Sequence, residues 1–480
     1  MPLGEHLLSD PEDRQRPDDV RPDGGSGRPD RPSGDWFARL MRRLPGMGRG
    51  GRFTRQVALT LFSQVLSLGF ALGTSAIVAR WLGQEGKGIV TLALLVPGLL
   101  VLFLEGGMAL ANIYFAGSHR FSVAELTQNA LTYLLLVMPI GGVVFAVLTI
   151  TGWLEKLVPA VPLWLLLISV LEFPFRLLVS AFCGVLRGLQ RITLVNVVTL
   201  VDGLLTLLLT VLLVIILPMG PAGALLASLG AVLVNTLWVS SLVRRYGGRL
   251  VPRWNRPVLG ATLSYGLRGY AGNILAFFNY RLDMLLVNGY LGPAGVGIYS
   301  VSVRFAELLW YLPNATSFVL FPRVAASRPE EARAFTPRVL RATMVLTSIG
   351  ALFFALLGRP LILWIYSPVF ADAYMPLLLL LPGVVLLGGA RVLTNAIAGR
   401  GQPHYNSLCF GIGFLLTVAL DLLLIPRYGV SGASVASSLA YGAIFASSLY
   451  FYHRVSQQVP LAGEAAVGSV DPPDSSDRRV

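Results

Sequence analysis

The octapeptide LGQEGKGI occupies residues 82–89, and a related octapeptide, LGPAGVGI, occupies residues 291–298. One leucine, three glycines and one isoleucine coincide when the two are aligned at an offset of 209 residues. A second pair lies at the same offset, with MGPAGALLASLGA at 219–231 and YGVSGASVASSLA at 428–440. Two matches near opposite ends of one unit, with no net shift between them, indicate an internal duplication. The chain is therefore predicted to contain two tandem copies of one fold.

Composition predicts an integral membrane protein. Hydrophobic residues make up 54% of the chain and charged residues 13%, whereas a soluble domain carries about 25% charged residues. The apolar residues form continuous blocks, many of about 20 residues, which is the length a helix needs to cross the hydrocarbon core. Alternating polarity would indicate a barrel, so continuous blocks predict an all-α membrane fold.

Twelve transmembrane helices are predicted, six on each side of a basic linker. The predicted spans are 55–79, 88–114, 127–150, 161–186, 192–217, 221–243, 262–288, 294–320, 338–366, 374–398, 404–425 and 429–452. Because each half has an even number of spans, both halves cross in the same direction, which predicts two lobes related by a pseudo-two-fold axis along the membrane normal. The predicted domains are a disordered, basic N-terminal cytoplasmic segment (1–51), an N-terminal six-helix lobe (52–243), a basic cytoplasmic linker (244–260), a C-terminal six-helix lobe (261–455) and a disordered C-terminal tail (456–480).

Loop charges predict the orientation of the spans. With a cytoplasmic N-terminus, the inner loops and flanks contain 21 arginines, and the outer loops contain only Arg80, Lys87, Lys156, Arg359 and Arg427. The positive-inside rule therefore places both termini in the cytoplasm. The net charge of +13 is explained by this orientation and does not indicate nucleic-acid binding. Neither cysteine predicts a disulfide or a metal site, because both lie in apolar spans.

Ionisable side chains inside the predicted spans are the candidate functional residues, since charges in hydrocarbon are costly and mark sites or internal pairs. They are Glu105, Glu172, Arg176 and Asp202 in the first half, and Arg268, Arg281, Asp283, Arg304, Glu307, Arg391 and Asp421 in the second. The second half has more of them, so it is expected to contribute more of the site.

Spans 7 and 8 contain the densest group of these residues. Arg281, Asp283, Arg304 and Glu307 lie at comparable depth, and Asn314 continues the polar face of span 8. Arg304 and Glu307 can pair at i, i+3, whereas Arg281 projects away from Asp283 on its own helix. One interpretation is a polar substrate cavity between the two spans. The alternative is a set of interhelical ion pairs that only stabilise the bundle.

The remaining charged positions fall into three groups. Glu172 and Arg176 can form an i, i+4 pair, with either a structural or a binding role. Arg268 and Arg391 lie near the inner leaflet, where they can bind a phosphate group or extend to the interface. The third group, Glu105, Asp202 and Asp421, has no partner on its own helix, so these are candidates for H⁺ or Na⁺ coupling. No other cofactor and no metal site is expected.

Several short motifs resemble one membrane-protein family. They are IVARWLGQEGKGI at 77–89, RLDMLLVNGYLGPAGVGIYS at 281–300, LFPRV at 320–324, AGRGQPHYN at 398–406 and DLLLIPRYGVSGAS at 421–434. Together they resemble the bacterial O-antigen and exopolysaccharide flippases of the multidrug/oligosaccharidyl-lipid/polysaccharide exporter superfamily.

The resemblance implies a transporter in the bacterial cytoplasmic (inner) membrane and not an enzyme. It implies alternating access, with a polyprenyl-diphosphate-linked oligosaccharide as cargo for cell-surface polysaccharide synthesis. Membrane lipids, a polysaccharide polymerase and glycosyltransferases are the expected partners. The charged residues of spans 7 and 8 are positions that the resemblance suggests for the central cavity.

Other functions remain open at this stage. A cation-coupled drug extruder of the same superfamily would use the carboxylates inside the spans. A lipid II flippase is less consistent with the chain, because that group resembles chains of fourteen spans and twelve are predicted here. A membrane glycan polymerase or ligase is less consistent with the chain, because such enzymes usually need a large external loop and none is visible. A sugar permease of the major facilitator type also has parallel six-span halves, but the loop between spans 2 and 3 (GSHRFSVAE) lacks the basic Gly-Asp-Arg signature of that type. A non-transporting scaffold would gain little from charges inside its spans.

Overall fold

The fold of the chain is helical in a computed structural model, which describes residues 51–314 and 329–457 together with residues 316, 320 and 324. No strand occurs among these described residues. The helices are α1 (Gly51–Leu104), α2 (Met108–Gly117), α3 (Val123–Ile150), α4 (Trp153–Leu157), α5 (Leu163–Val170), α6 (Glu172–Gly188), α7 (Ile192–Thr210), α8 (Gly220–Arg245), α9 (Arg256–Leu308), α10 (Pro329–Ile365), α11 (Tyr374–Gly399) and α12 (His404–Gln457). A π-helical turn, Val211–Ile216, extends α7, and a 3₁₀ turn, Pro368–Ala373, precedes α11. The two predicted disordered ends, 1–51 and 456–480, lie outside the described residues except for residues 51, 456 and 457.

Nine helical segments in the described part of the chain are long and apolar enough to cross a membrane. Three of them, Phe62–Leu104, Ile274–Asn314 and His404–Gln457, have 43, 41 and 54 residues. Since one crossing needs about 20 residues, each is long enough to cross twice. The chain is therefore a multi-pass membrane protein, as its composition predicts.

The internal repeat is visible in the backbone. Gly83 interrupts α1 with φ 69° and ψ −168°, and Gly292 interrupts α9 with φ 69° and ψ −174°. Gly220, at the start of α8, and Gly429, inside α12, form a second pair with φ 63° and 59°. Both pairs lie 209 residues apart, and all four residues have left-handed backbone conformations, which glycine adopts without steric cost. The sequence repeat thus encodes the same left-handed glycine conformations twice.

One predicted span is broken in the structure, and another contains a turn at Leu171 but remains a single apolar segment, Leu163–Gly188. The predicted span 88–114 is interrupted after Leu104, because Gly106 and Gly107 have φ 57° and 70° and cannot continue a right-handed helix. The predicted span 161–186 is divided into α5 and α6 at Leu171. Pro174 lies in the first turn of α6, where its missing N–H removes no helical hydrogen bond.

Small residues of the second repeated motif allow close packing of the helical segments on either side of Gly220 and of Gly429. A Cβ on Gly223 would lie 2.6 Å from the carbonyl oxygen of Leu213. A Cβ on Gly432, the equivalent residue of the second half, would overlap the carbonyl oxygen of Leu424. Backbone contact of this kind is typical of membrane helices, where packing replaces the hydrophobic effect as the driving force.

Candidate functional site

Three charged side chains meet in the second half of the chain. Arg281 Nη2 lies 2.9 Å from Glu307 Oε1, and Arg304 Nη1 lies 3.5 Å from Glu307 Oε2. The Glu307 side chain is 14% exposed, and the two arginine side chains are 32% and 37% exposed. One carboxylate therefore bridges two guanidinium groups, which leaves one uncompensated positive charge in this group of three.

Asp283 lies apart from this charged group, although its sequence position is close. The residue is 2% exposed, and its carboxylate accepts hydrogen bonds from the Tyr299 hydroxyl, from the Met284 backbone N–H at 2.8 Å and from the Ser437 hydroxyl at 3.4 Å. Asp283 therefore forms no ion pair with Arg281 among the described contacts, as its projection from a different face predicts, and its place in a cavity with Arg281 stays a prediction. Its side chain is directed to α12 because it projects from the other face of α9.

Arg391 on α11 is enclosed by two aromatic rings and an amide. Its guanidinium carbon lies 4.7 Å from the ring centroid of Trp310 and 5.6 Å from that of Tyr280. Its Nη1 donates to Asn314 Oδ1, and its Nη2 donates to the Tyr280 hydroxyl at 3.3 Å. We call Arg391, Tyr280, Trp310 and Asn314 the arginine cage. The planar cation is held rigidly while Asn314 remains exposed, an arrangement that can bind an anionic group with little loss of side-chain entropy.

The arginine cage adjoins the charged group of Arg281, Arg304 and Glu307. Tyr280 precedes Arg281 on α9, and the rings of Tyr280 and Trp310 lie 4.8 Å apart. Trp310 follows Glu307 by three residues, which places both on one helical face. The charged group and the arginine cage thus lie next to each other, and we call the two together the polar strip.

A second group of polar atoms lies between α9 and α12. Four buried oxygen atoms have no hydrogen-bond partner among the described residues, namely Asn279 Oδ1, Thr417 Oγ1 and both carboxylate oxygens of Asp421. Gly413, Thr417 and Asp421 share one face of α12, and a Cβ on Gly413 would lie 3.1 Å from Asn279 Oδ1. Asp421 is 0% exposed.

The first half contains a smaller polar network. Glu172, which is 0% exposed, pairs with Arg176 at 2.5 Å, and Arg176 Nη2 donates to the Ser228 hydroxyl at 3.0 Å. Asp202 accepts a hydrogen bond from Asn235 Nδ2 at 3.3 Å. The predicted i, i+4 pair is therefore formed. Asp202 is not unpartnered, because a neighbouring helix supplies an amide.

Glu105 lies at the break between α1 and α2. Its two carboxylate oxygens accept hydrogen bonds from the hydroxyl of Ser180, at 2.6 Å, and from that of Tyr270, at 3.1 Å. The Tyr270 contact joins the first half of the chain to the second. Glu105 thus has partners on other helices, which were not visible from its own helix. The side chain of Arg268, another predicted binding residue, lies outside the described part of α9.

The repeated motif contained a signal for the acidic residues that the sequence analysis did not use. Ser228 and Ser437 are equivalent at the offset of 209 residues. Ser228 contacts the Glu172–Arg176 pair, and Ser437 contacts Asp283. The aromatic members of the arginine cage had no comparable signal, since Trp310 and Tyr280 look like ordinary residues of membrane helices.

Comparison with known proteins is consistent with this architecture. Residues 77–374 match the family described as Polysaccharide biosynthesis protein. The succinoglycan biosynthesis transport protein ExoT of Rhizobium meliloti is 26% identical over 367 residues, which cover 73% of this chain and 69% of ExoT. Some other curated relatives align over only 39% to 41% of their own length.

Two solved structures share the fold. The inward closed conformation of the lipid II flippase MurJ superposes with a TM-score of 0.70 at 15% identity, covering 84% of this chain and 90% of that chain. The inward-facing conformation of a multidrug resistance MATE family transporter superposes with a TM-score of 0.67 at 15% identity, covering 83% of this chain and 98% of that chain. Since the family match covers more than half of the sequence, the chain belongs to the polysaccharide biosynthesis protein family.

Proposed function

We propose that the protein is a flippase that moves a polyprenyl-diphosphate-linked oligosaccharide across the cytoplasmic membrane for cell-surface polysaccharide synthesis. The observation that supports this most strongly is the arginine cage beside the Arg281–Glu307–Arg304 group, a polar strip inside the membrane-spanning helices of a polysaccharide biosynthesis protein. A sugar diphosphate is too polar to cross hydrocarbon unaided, and such a strip offers it a polar path.

The proposed architecture has twelve crossings in two six-helix lobes, with both termini in the cytoplasm. The glycine breaks at Gly83, Gly292 and Gly429 support it, because each would divide one long apolar segment into two crossings. The excess of arginine in alternate loops supports the orientation. In this proposal the two lobes pivot so that a cavity between them opens to one side at a time.

Arg391 is the proposed contact for the diphosphate. A guanidinium can donate two parallel hydrogen bonds to a phosphate, and the flanking rings hold it in place. Arg304 is the second candidate, since it is more exposed and farther from Glu307 than Arg281 is. No bond in the cargo needs to be made or broken, so the protein acts as a transporter and not as an enzyme. Glycosyltransferases that build the cargo and a polymerase that uses it are the proposed partners.

Energy for transport is proposed to come from a proton or Na⁺ bound at Asp421. A carboxylate that is fully buried without a partner is costly. Either a proton or a small cation would neutralise it, and the oxygens of Thr417 and Asn279 are suitable additional ligands for a hard cation. Asp283 lies on the facing helix, so occupancy of this position would change the packing of α9 against α12.

The test is the distribution of lipid-linked glycan between the leaflets of cells from which the gene has been removed. The proposal predicts that the glycan accumulates on the cytoplasmic leaflet and disappears from the outer one. Unchanged delivery to the outer leaflet would exclude it. Loss of dye or drug efflux with normal glycan delivery would instead indicate the cation-coupled extruder.

A further inference from the structure

The two repeated octapeptides lie against each other in the structure. A Cβ on Gly88 would overlap the carbonyl oxygen of Pro293 and lie 2.5 Å from its carbonyl carbon. A Cβ on Gly297 would overlap the carbonyl oxygen of Gln84 and lie 2.8 Å from its carbonyl carbon. Each glycine therefore packs directly on the backbone of the other half, at a separation that any side chain would prevent.

These two contacts are one contact repeated. Gly88 corresponds to Gly297, and Gln84 corresponds to Pro293, both at the offset of 209 residues. Gly88 of the first half packs on Pro293, the equivalent of Gln84, and Gly297 of the second half packs on Gln84 itself. Such reciprocity is the property of an interface across a two-fold axis. The local axis between the halves therefore passes between the two turns.

Hydrogen bonds to a third segment of the chain surround this contact. Arg80 Nε donates to the carbonyl of Ile365 at 2.8 Å, and Gln84 Nε2 donates to the carbonyl of Val369 at 2.5 Å. Ile365 is the last residue of α10, and Val369 lies in the 3₁₀ turn between α10 and α11. The first half is thus joined to the second at this end by backbone packing and by side-chain bonds to backbone carbonyls.

Lys87 lies buried at this contact. It is 8% exposed, and its Nζ donates to the Ser75 hydroxyl at 2.9 Å, which in turn accepts from the Tyr366 hydroxyl at 3.0 Å. Lys87 belongs to a turn that is predicted to be an outer loop, and the second half covers this turn. The only other lysine of the chain, Lys156, is exposed.

We propose that the turns 82–89 and 291–298 form a seal at one end of the molecule, and that this seal must part for the cavity to open there. On the proposed orientation this is the outer end, so parting of the seal would release the cargo outward. The geometry explains why glycine occupies positions 88 and 297, since a methyl group at either one would hold the turns apart.

The two lysines provide a direct test, because one is covered by the seal and the other is not. The purified full-length protein in lipid nanodiscs is treated with a sulfonated N-hydroxysuccinimide ester, and acylation of each lysine is followed by mass spectrometry. Nanodiscs expose both faces, so the result does not depend on orientation or on the identity of the cargo. Failure of the seal can therefore be distinguished from failure of the proposed transport function.

In the unaltered protein, Lys87 should react at least about tenfold more slowly than Lys156, because reaction requires local opening. Gly88→Ala and Gly297→Ala should each raise the Lys87 rate by about tenfold or more, an effect that reports a larger open population. Arg80→Ala, which adds no steric overlap, should raise it by a smaller factor. Gly289→Ala is the matched control, since a Cβ there meets nothing within 4 Å.

Correct folding of each variant is checked in the same samples. Cys183 and Cys409 are 6% and 0% exposed, so both should stay unreactive to a maleimide in every folded variant. Two results would overturn the proposal. One is acylation of Lys87 at the rate of Lys156 in the unaltered protein, and the other is an unchanged Lys87 rate in folded Gly88→Ala, Gly297→Ala and Arg80→Ala.

Discussion

Replacement of Arg391 by alanine tests the arginine cage as the binding site for the diphosphate of the cargo. The substitution removes a guanidinium that lies 4.7 Å from the Trp310 ring and is bonded to Asn314 and Tyr280. A hydrogen bond to a charged group contributes about 1.5–3 kcal/mol. Since 1.4 kcal/mol corresponds to a factor of ten in affinity, Arg391→Ala should weaken binding of a polyprenyl diphosphate by about 10- to 150-fold.

Arg391→Lys separates the effect of charge from that of geometry. Lysine keeps the positive charge but loses the planar fork and most of the stacking on Tyr280 and Trp310. Its affinity should therefore fall between those of the unaltered protein and Arg391→Ala. Arg454→Ala is the charge-matched control, because Arg454 is exposed near the end of α12 and lies outside the proposed site.

The assay is a titration of purified protein in detergent with a polyprenyl diphosphate that has no sugar, followed by intrinsic fluorescence or calorimetry. A polyprenyl alcohol of the same length serves as the uncharged probe, and its affinity should be the same for all variants. If Arg391→Ala and Arg454→Ala bind the diphosphate equally well, the assignment of the cage as the diphosphate site is wrong.

Three further predictions concern stability and coupling. Glu307→Gln should lower the free energy of unfolding by about 1–2 kcal/mol. This value is smaller than that of a fully buried ion pair because Arg281 and Arg304 are about one-third exposed. An unchanged thermal midpoint in detergent would contradict the bridging role of Glu307. A thermal-shift series that compares NaCl with KCl and varies the pH shows whether Na⁺ or acid stabilises the unaltered protein. Asp421→Asn should abolish that stabilisation, whereas Asp372→Asn, at an exposed carboxylate, should retain it. If Asp421→Asn retains it, the coupling site lies elsewhere. Gly83→Ala and Gly292→Ala should each lower the free energy of unfolding by about 1–2 kcal/mol, because both glycines have φ 69° and open space around a Cβ. The control Gly69→Ala, in open space within α1, should be neutral or slightly stabilising. A large difference between Gly83→Ala and Gly292→Ala would argue against equivalent turns.

Features that depend on local sequence were predictable. The apolar blocks predicted helices because backbone groups in lipid must be hydrogen-bonded within the segment. The repeated octapeptides predicted repeated structure, and Gly83 and Gly292 adopt nearly the same backbone angles. Glu172 and Arg176 pair as their spacing suggested, since the contact lies within one helix.

Features that depend on contacts between helices were not predictable from the chain alone. Arg391 is enclosed by residues 77 to 111 positions away, and no local pattern relates α11 to Trp310. The same limit applies to Lys87, whose polar turn looks like a solvent-exposed loop until the second half packs over it. The break at Gly106 and Gly107 was missed because hydrophobicity continues across it, while the backbone conformation does not.

The central claim concerns movement of a lipid-linked glycan, and reconstitution tests it most directly. Purified protein is placed in liposomes that contain a polyprenyl-diphosphate-linked oligosaccharide, and a membrane-impermeant glycosidase reports the fraction accessible from outside. Liposomes with the unaltered protein should expose essentially all of the glycan over time, and those with Arg391→Ala should do so more slowly. Protein-free liposomes should stay near one half. Equal accessibility with and without the protein, under every ion gradient applied, would contradict the account.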